Sequence, residues 1–282
     1  IALAASASFM PMLVHSTSGV LPDSQNIFLF SVFIFVCLKI IKEGLSPKKL
    51  IALIVVICLG AMTRQNFLIT LFILPIPFIF EFITKKEYRV RFTFIAVGLL
   101  ALLYVLSYFV PSMDFIRRLD YPESSQKIAN NPLSNLTLKE HFVWTLKHSF
   151  AEVWPWFWGV YKWLSLSLPP VVYQIINRLI PFAVIGFLLK LISIIRTKDY
   201  KSAKIYVFVV LVPIIYFLFL LVFDFLHRKN NGYSFGIQGR YYFPVIIPFL
   251  TILLTGYWQL FKYAKKYSVY LLTMLIFLII TF

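Results

Sequence analysis

Four short stretches hold the residue types that could do chemistry. The first is 16–25, where Asp23 stands after Pro22 and just before an apolar run. A carboxylate there can cap a helix starting near Ser24, where it also favours the helix dipole. It can equally act as a base or metal ligand facing a non-cytoplasmic cavity. The second stretch is Thr63, Arg64, Gln65 and Asn66, a polar turn between two apolar runs. Arginine at membrane depth is costly unless it snorkels to the surface or meets an anion, and a guanidinium binds phosphate oxygens as a fork.

The third stretch gathers Trp154, Trp156, Trp158 and Trp163 around Phe157 and Tyr161. Tryptophan concentrates at membrane interfaces, which accounts for the cluster. The alternative is a stacking platform, with Trp158 offering its ring to the C–H face of a sugar. The fourth is 232–244, with Arg240 between Gln238 and Tyr241 at the mouth of an apolar run. Its glycines permit close backbone approach, and the start of a helix suits an anionic head group. A solvated loop arginine is the plainer reading.

His15, His141, His148 and His227 are scattered, and no HExxH, CxxC, P-loop or GxSxG pattern occurs. Neither a protein metal site nor nucleotide hydrolysis is indicated. No cofactor is expected, and no motif calls for a divalent cation. Cys37 and Cys58 each lie within an apolar run and read as packing residues rather than a disulfide.

The elements that position these residues belong to a membrane. Of 282 residues, 60% are hydrophobic and only 13% charged, where a soluble domain carries about 25% charged residues. Mean hydropathy is +0.84. That leaves too little polar surface for a water-facing globule. The formal net charge of +16 sits in short clusters between apolar runs, which fixes membrane orientation and excludes nucleic acid as the partner.

A spanning helix needs about 20 mostly apolar residues. Such segments run over 25–41, 50–62, 67–83, 92–110, 171–195, 205–225 and 242–261, with another from Val269 and the tail of an earlier one over 1–14. About eight spans make an all-α polytopic bundle, read as one transmembrane domain over 1–282. The chain starts at Ile1 without Met and stops at Phe282 inside an apolar run, so both ends are read as cut. Lys39, Lys42, Lys48 and Lys49 mark one cytoplasmic connection, Lys85, Lys86, Arg89 and Arg91 the next. Arg196, Lys198, Lys201 and Lys204 mark a third, and Lys262, Lys265 and Lys266 a fourth. Positive-inside then places the four chemical stretches on the extracytoplasmic side.

The loop 111–170 on that side carries a capping box, Thr137 with Glu140, opening a helix to about Phe150. Phe142, Val143, Leu146, Phe150 and Val153 recur at helical spacing, the pattern of an interfacial helix lying on the membrane. No acid or histidine stands near the middle of a span; Glu81 and Asp224 lie near span ends. This argues against an ion-coupled transporter.

The stretch GIQGRYYFPVIIP at 236–248 resembles the last-loop motif of the bacterial multi-pass membrane family designated domain of unknown function 2142. Phe9 to Val14 with Ser18 to Asp23, and Phe157 to Trp163 with Pro170 to Tyr173, resemble two further parts of that family. The family is similar to the C-type glycosyltransferases, which use polyprenyl-phosphate-linked sugars outside the cytoplasm. The resemblance implies a catalytic carboxylate in an early acidic loop, upstream of residue 1. It further implies transfer of a sugar from a polyprenyl-phosphate donor to a glycan or lipid acceptor at the cell membrane. On this reading Arg240, then Arg64, with Gln238, Tyr241 and Trp158, bind substrate, and Asp23 is the remaining acid. A lipid-linked glycan flippase, or a non-catalytic envelope-assembly protein, is the alternative.

Overall fold

The computed structural model describes residues 22–84, 133, 135–161, 166–167 and 169–262. The expected spans over 1–14, over 92–110 and from Val269 onward lie outside them, as do the cations at 85–91 and 265–266. Among the described residues, four helices are long and apolar enough to cross a membrane: Asp23–Glu43, Pro170–Arg196, Tyr200–Asn231 and Gly239–Phe261. Their outer faces carry exposed Phe28, Phe35, Phe182, Ile192 and Leu218, surface that only a lipid environment accommodates in such amount. The fold is all-α. Its single extended feature is a ribbon of β1 (Val160–Tyr161) and β2 (Leu166–Ser167), two residues each, among the described residues.

The chain divides into two compact units. One takes in Leu21–Leu136 and Val222–Phe235. Within it, α1 (Pro22–Glu43) and α2 (Pro47–Thr63) form an antiparallel pair through a short turn. Ser46 caps α2 by accepting from the Lys49 N–H at 3.4 Å, and Pro47 occupies the first helical position, where a missing N–H costs nothing. Lys49 ties the turn, bonding the Gly44 carbonyl at 2.8 Å and the Glu43 carboxylate at 3.0 Å. Phe30, Phe33 and Phe67 form the buried centre, with ring centroids 5.8 to 5.9 Å apart. Gly60 lies directly against the Phe67 ring, leaving no room for a Cβ.

The expected span over 67–83 is segmented. A 3-10 turn (Gln65–Ile69) leads into α3 (Thr70–Ile73), which breaks at Leu74 before α4 (Pro75–Thr84). Pro75 and Pro77 remove two backbone donors, which interrupts the hydrogen-bond ladder while Leu74 keeps helical angles, φ -53 and ψ -39.

The other unit takes in Ile1–Val20, Thr137–Leu221 and Gly236–Phe282. Its helices are α5 (Leu138–His148), a π turn (Ser149–Val153), α6 (Trp154–Trp158), α7 (Pro170–Arg196), residues 200–221 of α8 (Tyr200–Asn231), a 3-10 helix (Gly239–Val245) and α9 (Ile246–Phe261). The closest packing is α7 on α9. A Cβ on Gly256 would collide with the Ala183 carbonyl, and one on Gly186 with the Gly256 carbonyl, so small residues set this helix separation.

The capping box of α5 forms as its sequence dictates. The Thr137 N–H and hydroxyl both donate to Glu140 Oε2, at 2.9 and 2.8 Å, and the Glu140 N–H returns to Thr137 Oγ1 at 3.3 Å. These bonds hold the Glu140 carboxyl below its ordinary range. The inward face of α5 differs from the apolar stripe: His141 and Thr145 are buried, while Phe142 and Val143 are exposed. His141 Nε2 and the Thr145 hydroxyl lie 3.2 Å apart and partner one another, while Phe142, Val143 and Phe150 of the stripe are exposed, as suits a lipid-facing side.

Candidate functional site

The 3-10 helix Gly239–Val245 and the aromatic segment Trp154–Trp158 meet at one glycine. Gly239 presses on the backbone of Trp156 and Phe157, where a Cβ would overlap the Phe157 nitrogen. Gly236, at φ +75, turns the chain into this approach. Gln238 is extended and its carbonyl accepts from the Tyr241 N–H at 3.0 Å. Arg240 follows. Its guanidinium carbon lies 5.8 Å from the centre of the Tyr241 ring, and its buried Nε has no hydrogen-bond partner among the described residues. Unpaired buried donors are rare and unfavourable, so this N–H is poised for an acceptor.

Three residues per turn put Gly239, Tyr242 and Val245 on one ridge of the 3-10 helix. Phe243, fully buried, packs 5.4 Å from Phe157, which in turn lies 5.4 Å from Phe249. Trp158 is 4% exposed, covered by Phe157, Trp154 and Phe249. It is built into the aromatic core and does not stand as an open platform. Its indole N–H is a second buried donor without a partner among the described residues. The Trp154 indole instead donates to Asn177 Oδ1 at 2.7 Å, and the Tyr173 hydroxyl donates to the Gly159 carbonyl at 3.0 Å, fixing this segment to α7.

Asp23 and Arg64 belong to the other unit and are brought together there. Asp23 Oδ1 lies 2.8 Å from an Arg64 Nη, with side chains 12% and 28% exposed. Asp23 stands inside the first turn of α1 rather than capping it, because the helix already begins at Pro22. Arg64 is extended where α2 ends, and its N–H bonds the Gly60 carbonyl at 3.1 Å. Asn26, one turn beyond Asp23, is buried, and its Oδ1 lacks a donor among the described residues. Asn26 ends the polar run Asp23, Ser24, Gln25, Asn26 at the start of α1, and that run was the available sequence signal. Gln65 and Asn66 are described by their backbone alone.

In the same unit Asp224 is buried and anchors the loop after α8. The Ser234 hydroxyl donates to both carboxylate oxygens at 2.9 and 3.0 Å, and the Phe235 N–H donates at 2.6 Å. His227 Nδ1 lies 3.1 Å from the Tyr233 carbonyl. Among the described residues no three His, Cys, Asp or Glu side chains converge on a point that could hold a metal.

The family model described as "Predicted membrane protein (DUF2142)" matches residues 1–249. The chain belongs to the DUF2142 family. The match takes in each candidate site residue of this DUF2142 protein, from Asp23 to Tyr241. No curated protein and no solved structure matches the chain.

Proposed function

We propose that this DUF2142 protein is a multi-pass protein of the cell membrane that moves a sugar from a polyprenyl-phosphate donor to an envelope glycan or lipid acceptor. The reaction takes place on the extracytoplasmic side. The acceptor hydroxyl forms the new bond to the anomeric carbon, the bond from that carbon to the donor phosphate breaks, and a carboxylate takes the hydroxyl proton. Arg240 holds the departing phosphate, where charge builds as the bond breaks.

The single observation that supports this reading most is the Arg240 Nε: a buried cationic donor without an acceptor among the described residues. A phosphate oxygen is the acceptor it suits. The Trp158 indole N–H, in the segment that Gly239 abuts, is a neutral donor in the same position.

Undecaprenyl phosphate binding to the purified protein, read by tryptophan fluorescence, tests the reading. A hydrogen bond to a charged group contributes about 1.5–3 kcal/mol, so Arg240→Ala should weaken binding roughly 10- to 100-fold. Unchanged affinity in a folded variant would reject the assignment.

A further inference from the structure

Beside the Arg240 helix lies a cavity of about 310 Å³ with walls almost wholly apolar. Leu146, Phe150 and Val153 line one side, Phe217, Tyr242 and Phe249 another. The Trp154 indole, also in the wall, turns its N–H to Asn177. A free sugar would lose its water there and find few partners, which is unfavourable. A hydrocarbon chain loses nothing.

Irregular backbone opens this space. Ser149, Phe150 and Val153 belong to the π turn, a wider turn that occurs mostly at functional sites. Tyr242 and Val245 come from the 3-10 helix, and Pro213 from the interior of α8.

We infer that this cavity is the seat of the donor's isoprenoid chain, gripping its first carbons while Arg240 holds the phosphate. The inference rests on the donor reading above and extends it. Charge complementarity favours a phosphate-headed chain over a neutral one. Arg240 lies two residues before the cavity residue Tyr242, about 4 Å along a 3-10 axis. On its other side Gly239 abuts Phe157, which also lines the cavity. An apolar cavity of about 150 Å³ takes one benzene. On that scale 310 Å³ houses roughly a dozen carbons, two to three isoprene units.

The test is a chain-length series on the purified protein: dimethylallyl, geranyl, farnesyl and undecaprenyl phosphates. Affinity should climb at least about tenfold from five to fifteen carbons and then level off, since each buried methylene adds to binding until the cavity is full. Leu146→Trp, which fills the cavity, should flatten the climb, so that farnesyl phosphate binds little better than dimethylallyl phosphate. Arg240→Ala should weaken every member alike. A climb untouched by Leu146→Trp would overturn the cavity inference and leave the Arg240 reading standing. Indifference of the whole series to Arg240→Ala would remove the reading itself.

A second arm does not depend on Leu146→Trp folding. Benzoylphenylalanine replacing Phe150, irradiated with undecaprenyl phosphate in phosphatidylglycerol vesicles, should yield an isoprenoid adduct at that position. Capture of phosphatidylglycerol chains alone would assign the cavity to bulk phospholipid and defeat the inference.

Discussion

The Asp23 carboxylate and the Arg64 guanidinium meet at 2.8 Å, joining two polar stretches that lie far apart in sequence. Each had a separate chemical reading, yet each is the other's partner. The pair sits at the start of α1 and the end of α2, so it also closes the open end of that helical hairpin. Its energetic weight lies between that of an exposed pair and a buried one.

A double-mutant cycle should therefore give about 1–2 kcal/mol of coupling between Asp23→Asn and Arg64→Gln in thermal melts. The double variant should be more stable than the sum of the two single losses implies. Turnover separates the roles. If Asp23 takes the acceptor proton, Asp23→Asn abolishes transfer and the second substitution does not restore it. Activity that returns with stability would assign the pair to structure alone.

Thr137→Ala should cost about 1 kcal/mol of α5 stability through loss of the cap. Glu140 contributes through the same box, and its folded-state pKa lies below the ordinary 4.5. A depressed carboxyl gives stability that is present above the unfolded value and lost as pH falls through the folded one. Amide protection across 138–148, corrected for intrinsic exchange, should thus hold from neutrality to about pH 5 and decline in more acidic buffer. Protection that rises on acidification would contradict the box.

Helix α7 has 27 residues, a rise of about 40 Å, against a hydrocarbon core of about 30 Å. In a background lacking Cys37 and Cys58, cysteine at Gln174 should label from outside and cysteine at Lys198 from the cytoplasm. Labelling of both from one side would remove α7 from the spans. Reversed labelling would put Arg240 on the wrong side for an extracytoplasmic donor.

Much of the fold was legible because the membrane imposes a length. The runs 25–41, 171–195, 205–225 and 242–261 all fall within long apolar helices, and Thr137 with Glu140 forms the cap their spacing announces. On α5, periodicity locates the apolar stripe, of which Phe142, Val143 and Phe150 are exposed, while the buried His141–Thr145 pair shows only in the structure. The breaks around Leu74 hinge on two prolines in a run apolar enough to read as one span. At the site, residue types singled out Arg240, Arg64 and Asp23. Their partners depend on tertiary approach: the Asp23–Arg64 pair, the Gly239 contact with Phe157 and the acceptor-free Arg240 Nε. Asn26 and Asp224 show their burial only once the helices are placed.

The most direct test of the donor-phosphate assignment is Arg240→Lys in the full-length protein, with donor binding and turnover measured on correctly inserted material. A lysine keeps the charge but loses the planar fork and the Nε donor. If Arg240 binds the phosphate, donor affinity should fall about tenfold or more, turnover should drop with it, and the melting temperature should hold. Asp224→Asn, which releases Ser234 and Phe235 from their anchor, should instead lower stability first. An inserted, stable Arg240→Lys protein with wild-type donor binding and turnover would contradict the account.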